Sequence, residues 1–532
     1  MYSHQSLRGA GLSFLLFLLV GASTGCGGRS DEDDYKNPLV PHERLEETSR
    51  QFHERPCAER AVDGYVTQCG QVEVPVALGS SETTRVAVVR VFTNGARPEP
   101  DPVIYLDGGP GVATLENIPV MVEVFELLFP NRDLIFFDQR GVGRSGPELN
   151  CEGEGAISKV LGQCYDNWSK QVDLNSYRTK NSAHDVQAIA DAFGYETLNI
   201  FGISYGTRLA LTVMREHPDL ARSVIIDSVV PLQVDLFAET GSNGYSALLA
   251  LFEACENDAS CKAKYNDPYS QLIDVVNKLN ENPIVQGDIS IDGFQFVSVI
   301  FQMMYSMQLV AFIPYLIDTV DQGDTELLSS MFDFASDEAG FSMGMHLSLQ
   351  CAEEIAFSSQ EAFEERDALV DPILRDALSG SIYLNYCDYW PVTKAPSVEN
   401  EPVVSDIPTL VLAGKFDPIT PPTFSKAAAD YLSQSKYFLL ESESHGASIS
   451  ACGANLVRSF TDNPRGNLNS SCVLDPPGLE FQQHSGQAAR QTNDSRVNWQ
   501  LEAPSSGEVE RAVSEARKRR KVLHNDSVKT MP

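Results

Sequence analysis

Three side chains of this sequence have the types and the chain order that acyl transfer requires: Ser204, Asp417 and His445. A serine hydroxyl attacks a carbonyl only when a base takes its proton, and that base works best when an acid holds its ring in one tautomer. Ser204 lies between Gly202 and Gly206 in the pattern G-x-S-x-G. The pattern alone is weak, because it arises by chance roughly once in every five or six chains of this length. A second copy indeed stands at 21–25, around Ser23. Context separates the two. Leu198, Ile200 and Phe201 make a short apolar strand before Ser204, and Leu209, Ala210, Leu211, Val213 and Met214 recur behind it at helical spacing until His217-Pro218 ends them. A strand, a sharp turn and a helix lift the hydroxyl to the top of a sheet. Gly202 and Gly206, lacking Cβ, let strand and helix close around a residue in a costly conformation. The copy at Ser23 has neither element around it.

The base and the acid are expected to follow the serine along the chain. His445, His484 and His524 lie beyond the strand at 409–412, and the last two fall in a polar tail. His445 sits just past a strand end, where a loop can aim its imidazole. Two aspartates also follow strands, Asp417 after TLVLAG and Asp227 after SVII. Asp417 is preferred, because the next helix and strand deliver His445 directly and Pro418 stiffens its loop. Asp227 stays open as the alternative. An oxyanion needs preorganised donors. One is the amide of Tyr205, directly after the nucleophile. The other is Gly109 in YLDGGPG (105–111), since Pro110 has no N–H to give.

Elements able to position these groups are legible as two blocks. The first has strands at 85–92, 103–106 and 134–137, a helix at 182–193, the Ser204 unit and a strand at 223–226; the second has a strand at 409–412, a helix at 423–432 and a strand at 437–440. Short apolar strands alternating with helices predict an α/β fold with a mostly parallel, doubly wound sheet, whose sites lie beyond the carboxyl ends of the strands. The interval between the blocks reads as mainly helical, with a Met-rich and aromatic core, and fits an inserted cap. The expected division is a signal at 1–26, a flexible tether at 27–50, core at 51–234, helical cap at 235–403, core again at 404–475, and a disordered polar tail at 476–532.

The 73 acidic residues against 40 basic ones give a net charge of −33, which repels phosphate backbones and argues against a nucleic-acid partner. Residues 1–26 read as an export signal, with His4 and Arg8 ahead of an apolar stretch at 12–20 that is too short to span a bilayer. Small residues then lead to Cys26, in a pattern resembling a bacterial lipoprotein signal, so Cys26 is the expected lipidation site and a lipid anchor in the cell envelope (periplasm or outer membrane) the expected membrane contact. An ordinary cleaved secretory signal is the alternative, and both readings place the protein outside the cytoplasm. Setting Cys26 aside leaves ten of the 11 cysteines, an even number suited to an oxidising compartment. Proximity suggests Cys57 with Cys69, Cys151 with Cys164, Cys255 with Cys261, Cys452 with Cys472, and Cys351 with Cys387. No His/Cys group at metal-ligand spacing is seen, so neither a metal nor a cofactor is expected.

Taken in order, DGGPG, FFDQRGVGRSG, GISYGT, AGKFDPITP and SHG resemble the α/β-hydrolase peptidases of the proline iminopeptidase and tripeptidyl aminopeptidase group, with a TAP-like C-terminal region. The resemblance covers roughly 74–472. It implies the α/β-hydrolase fold and a serine exopeptidase acting on peptides with free N-termini. It also implies acidic cap residues for the substrate ammonium; LQCAEEIAF makes Glu353 the first choice and Glu354 the second. Asp107 stands where many members carry histidine, which puts the local support of the oxyanion loop in question. Two other functions share the same parts: a carboxylesterase for small esters, and a surface binding lipoprotein with a silent site. Dehalogenase and epoxide hydrolase chemistry is disfavoured, because the elbow carries serine and not aspartate. An oligomeric state is not legible.

Overall fold

The computed structural model describes residues 52–482 apart from 58–63, 96, 154, 287–288 and 336–339. The expected signal, Cys26, the tether and the tail beyond 482 lie outside the described residues.

The strands are β1 (Phe52–Glu54), β2 (Thr67–Pro75), β3 (Thr83–Val91), β4 (Val103–Leu106), β5 (Leu134–Phe137), β6 (Leu198–Ile203), β7 (Ala221–Asp227), β8 (Ile284–Gln286), β9 (Ile289–Ile291), β10 (Thr409–Gly414) and β11 (Ser435–Leu440). All but β8 and β9 form one sheet in the order β1-β2-β3-β5-β4-β6-β7-β10-β11. From β5 to β11 every neighbouring pair is parallel, while β1, β2 and β3 pair antiparallel at one edge and β3 joins β5 antiparallel. The sheet is thus mostly parallel, as expected, with an antiparallel margin. This is the α/β-hydrolase fold.

Alternation of side chains sorts the sheet into two faces. Ile104, Leu106, Ile135, Phe137 and Ile200 point to one side and pack with Val186 and Leu209 of helices Thr179–Phe193 and Tyr205–Glu216. Val103, Tyr105, Leu134, Phe136 and Phe201 point to the other and pack with Phe125 of helix Ile118–Leu128 and Phe460 of helix Ala451–Asp462. On that second face Tyr105, Phe136 and Phe201 surround Phe125 at ring-centroid distances of 4.8, 5.2 and 5.5 Å. Helices on both faces leave the strand ends as the place for a site.

Between β7 and β10 the chain runs through helices, the longest being Leu236–Asn257, and the small hairpin β8-β9. The five cysteine pairs form as proximity suggests: Cys57–Cys69, Cys151–Cys164, Cys255–Cys261, Cys351–Cys387 and Cys452–Cys472. Among the described residues no helix is long and apolar enough to cross a membrane.

Candidate active site

Ser204 joins β6 to helix Tyr205–Glu216 with φ 57° and ψ −128°, a left-handed conformation that costs a β-carbon-bearing residue about 1–3 kcal/mol. The flanking glycines are demanded by contact. A Cβ on Gly202 would lie 2.4 Å from the Gly206 carbonyl oxygen, and one on Gly206 would lie 1.9 Å from that of Leu106. The Ser204 amide donates to the Asp227 carbonyl (3.1 Å) and the Thr207 hydroxyl to the Ser204 carbonyl (2.6 Å), fixing the turn from both sides.

At the end of β10, Asp417 is fully buried and its carboxylate is saturated. One oxygen accepts the amides of Ile419 (3.0 Å) and Thr420 (2.8 Å); the other accepts the Thr420 hydroxyl (2.7 Å) and lies 2.8 Å from His445 Nδ1. Burial alone would raise its pKa, but the adjacent imidazole and these donors outweigh burial and hold it below the ordinary carboxylate value. A carboxylate only accepts, so the contact fixes the proton on Nδ1 and leaves Nε2 as the basic atom. Tyr305 packs edge-on against the His445 ring at 5.0 Å. Among the described residues no hydrogen bond joins Ser204 Oγ to His445; such bonds often tighten only when substrate is present.

Asp227, the alternative acid, does different work. Its carboxylate accepts the amide of Ser448 (2.7 Å), and the neighbouring Ser228 hydroxyl accepts the amide of Gly446 (2.9 Å). Both bonds tie the loop behind His445 to the end of β7, one strand from the elbow. Burial pushes the Asp227 carboxyl up.

A small cavity opens at Ser204, and Gly109, Tyr205, Arg208, Gln350 and Glu354 are among its lining residues. The two candidate oxyanion donors thus flank the serine. The loop that carries Gly109 is braced by Asp107. Its carboxylate accepts the Tyr105 hydroxyl (2.9 Å), the Gly108 amide (2.8 Å) and the Thr114 hydroxyl (3.0 Å), and its carbonyl accepts Gln139 Nε2 (3.2 Å).

The two candidate glutamates part company. Glu353 is fully buried; it accepts the Thr179 amide (2.8 Å), the Thr179 hydroxyl (2.5 Å) and Arg208 Nε (3.2 Å), and it does not line the cavity. Glu354 does line it. Its Oε1 sits 2.5 Å from Arg208 Nη1 as an ion pair without good hydrogen-bond angles, and burial pushes its carboxyl up to about 7. The donors around Glu353 already fill its oxygens, whereas Glu354 reaches the cavity. Arg208, one turn below Ser204 and fully buried, also donates to the carbonyl of Glu399 (2.9 Å).

Arg208 was not legible as a site residue; its only signal is its place four residues after Ser204. Removing it should strand the buried carboxylates. Arg208→Met is expected to cost about 3–5 kcal/mol, read as a lower urea midpoint at constant m-value. The loss should be smaller at pH 5 than at pH 8, because burial raises the Glu354 carboxyl to about 7 and acid therefore neutralises it. Thr420 was also missed. It has a visible cue, its place three residues after Asp417.

Residues 101–254 match the alpha/beta hydrolase fold family and residues 376–472 the family described as TAP-like protein. A putative hydrolase, YuaR, of Escherichia coli (strain K12) is 24% identical over 66% of this chain and 75% of its own length. The serine protease Hip1 of Mycobacterium tuberculosis (strain ATCC 25618 / H37Rv) is 25% identical over 70% of this chain and 80% of its own. A tripeptidyl aminopeptidase of Streptomyces lividans is 31% identical over a shorter stretch, 31% of this chain and 35% of that protein. Fold, elbow and matches together place the chain among the α/β-hydrolase-fold serine hydrolases with a TAP-like C-terminal region, a group that includes tripeptidyl aminopeptidases and proline iminopeptidases.

Proposed function

We propose that this chain is an exported serine exopeptidase that cleaves peptides near a free N-terminus through an acyl-enzyme on Ser204. The observation that carries this reading is the buried Asp417–His445 contact of 2.8 Å, beyond the carboxyl end of β10 and at the same end of the sheet as the Ser204 elbow after β6. In this reading His445 Nε2 takes the Ser204 proton as Oγ adds to the scissile carbonyl. The amides of Gly109 and Tyr205 receive the oxyanion, each contributing on the order of 3 kcal/mol. The imidazolium then gives its proton to the departing amine, and water, deprotonated in turn by His445, releases the acyl group. Export rests on the signal-like N-terminus and on five disulfides, which persist in oxidising compartments; anchoring through Cys26 belongs to the same proposal.

Glu354 is the candidate partner of the substrate ammonium, because it is the cap carboxylate that reaches the cavity. Glu354→Gln should raise KM for a free-amino peptide anilide about 10- to 100-fold, the worth of one charged hydrogen bond, and leave a small ester untouched. Equal effects on both substrates would favour the esterase reading. The sign with pH follows from burial. A carboxyl raised to about 7 is neutral below that pH and cannot pair with an ammonium, so KM for the free-amino substrate should fall as pH rises through about 7. An N-acetylated substrate with the same leaving group should lack that limb.

A further inference from the structure

The oxyanion loop has two hinges and a clamp that its own sequence does not supply. Gly109 and Gly111 have φ of 102° and 111°, values open to glycine, and between them stands Pro110, which has no N–H with which to anchor the turn. The one polar group left on Pro110 is its carbonyl, and that oxygen lies 2.8 Å from His346 Nδ1. A carbonyl only accepts, so Nδ1 carries the proton; Nε2 then accepts from the Tyr383 hydroxyl at 2.9 Å. The imidazole is 1% exposed, and burial lowers its pKa to about 4, which keeps it neutral and the tautomer unique.

His346 belongs to helix Met343–Glu353, directly followed by Glu354. The segment just before the helix is paired with the same loop, through Ser342 N to Gly111 O (2.8 Å) and Ala113 N to Gly340 O (2.9 Å). Cys351–Cys387 and the Tyr383 bond both hold this helix to helix Ile382–Asp388. The group that clamps Pro110 is therefore fixed from several sides. Without it, rotation at the two glycines would leave the Gly109 amide unaimed.

We propose that His346 is a positioning residue for the oxyanion hole: by holding the Pro110 carbonyl between two glycine hinges, it sets the Gly109 amide at the place where charge develops on the substrate oxygen. The proposal rests on Gly109 being an oxyanion donor, and it makes the helix that ends beside Glu354 the common support of both ends of the substrate site.

The test labels full-length protein with a fluorophosphonate, whose phosphoryl oxygen needs the oxyanion hole and whose small alkyl chain needs no amino-terminal pocket. His346→Leu should slow labelling about 10- to 100-fold, the scale of a misplaced or lost donor. On a peptide anilide the same factor should appear in kcat with KM nearly unchanged. His346→Asn, whose amide nitrogen falls where Nδ1 was, should recover most of the rate; His346→Gln, whose amide nitrogen falls where Nε2 was, should not. If His346→Leu fails to fold, the Asn and Gln pair decides. Equal rates for that pair, a loss confined to KM, or wild-type labelling in His346→Leu would overturn the proposal. Absence of labelling in the wild-type protein, or labelling that survives Ser204→Ala, would instead overturn the reading of Ser204 as nucleophile.

Discussion

Ser204→Ala is expected to lower kcat/KM by about five to six orders of magnitude, the scale seen when the nucleophile of a cooperating triad is removed, while the protein stays folded. The structure adds a second, less obvious outcome. Ser204 holds φ 57° and ψ −128° with a Cβ attached, so the elbow stores conformational energy that alanine retains and glycine releases. Ser204→Ala should then melt close to the wild type. Ser204→Gly, equally inactive, should be more stable by about 1 kcal/mol, the strain relieved less the entropy glycine adds to the unfolded chain. Thermal melts of the three proteins and turnover of an anilide substrate check both parts. Activity in either variant would place the nucleophile elsewhere. A Gly variant less stable than the Ala variant would show that the hydrogen bonds around the elbow, and not steric strain at Ser204, dominate its energetics.

What the sequence disclosed about this arrangement was mostly local. The strands at 103–106 and 134–137 form where their apolar runs stand, because four consecutive buried residues bounded by polar ones have few other uses in a sheet covered on both faces. The G-x-S-x-G turn was readable because its glycines answer to backbone contacts made within the motif and with the neighbouring strand end. Strand β2 was missed although it alternates: Val72 and Val74 are buried while Gln71 and Glu73 are not, a half-covered pattern that the polar residues concealed. Helices Ile118–Leu128 and Ala451–Asp462, which cover one face, were also not singled out. The functional parts that escaped depend on partners far along the chain. His346 is defined by a carbonyl at Pro110, and Arg208 by glutamates at 353 and 354 and a carbonyl at 399. The choice between Glu353 and Glu354 was likewise undecidable from adjacent identical residues. It turns on which of them meets Thr179, and no local pattern encodes that.

Two buried aspartates beside one histidine loop should give opposite results when each loses its charge. Asp417→Asn is expected to cut kcat by about 10⁴ with little loss of stability, as expected for a change that presents N–H to N–H and drives the imidazole to the wrong tautomer. The asparagine carbonyl can still accept the amides of Ile419 and Thr420, so the loop keeps its shape. Asp227→Asn is expected to cost less than about tenfold in kcat, because its carboxylate meets the Ser448 amide behind His445 and not the ring, and the asparagine oxygen can accept that same bond. Burial already raises the Asp227 carboxyl, so a neutral amide suits the site, whereas at Asp417 the histidine and the threonine stabilise the charge against burial. The discriminating measurement is kcat for each variant at saturating substrate, alongside urea denaturation of both. Loss of four orders of magnitude at Asp227 with near-wild-type turnover at Asp417 would exchange their roles, and would require the His445 ring to turn from β10 toward β7 during the reaction.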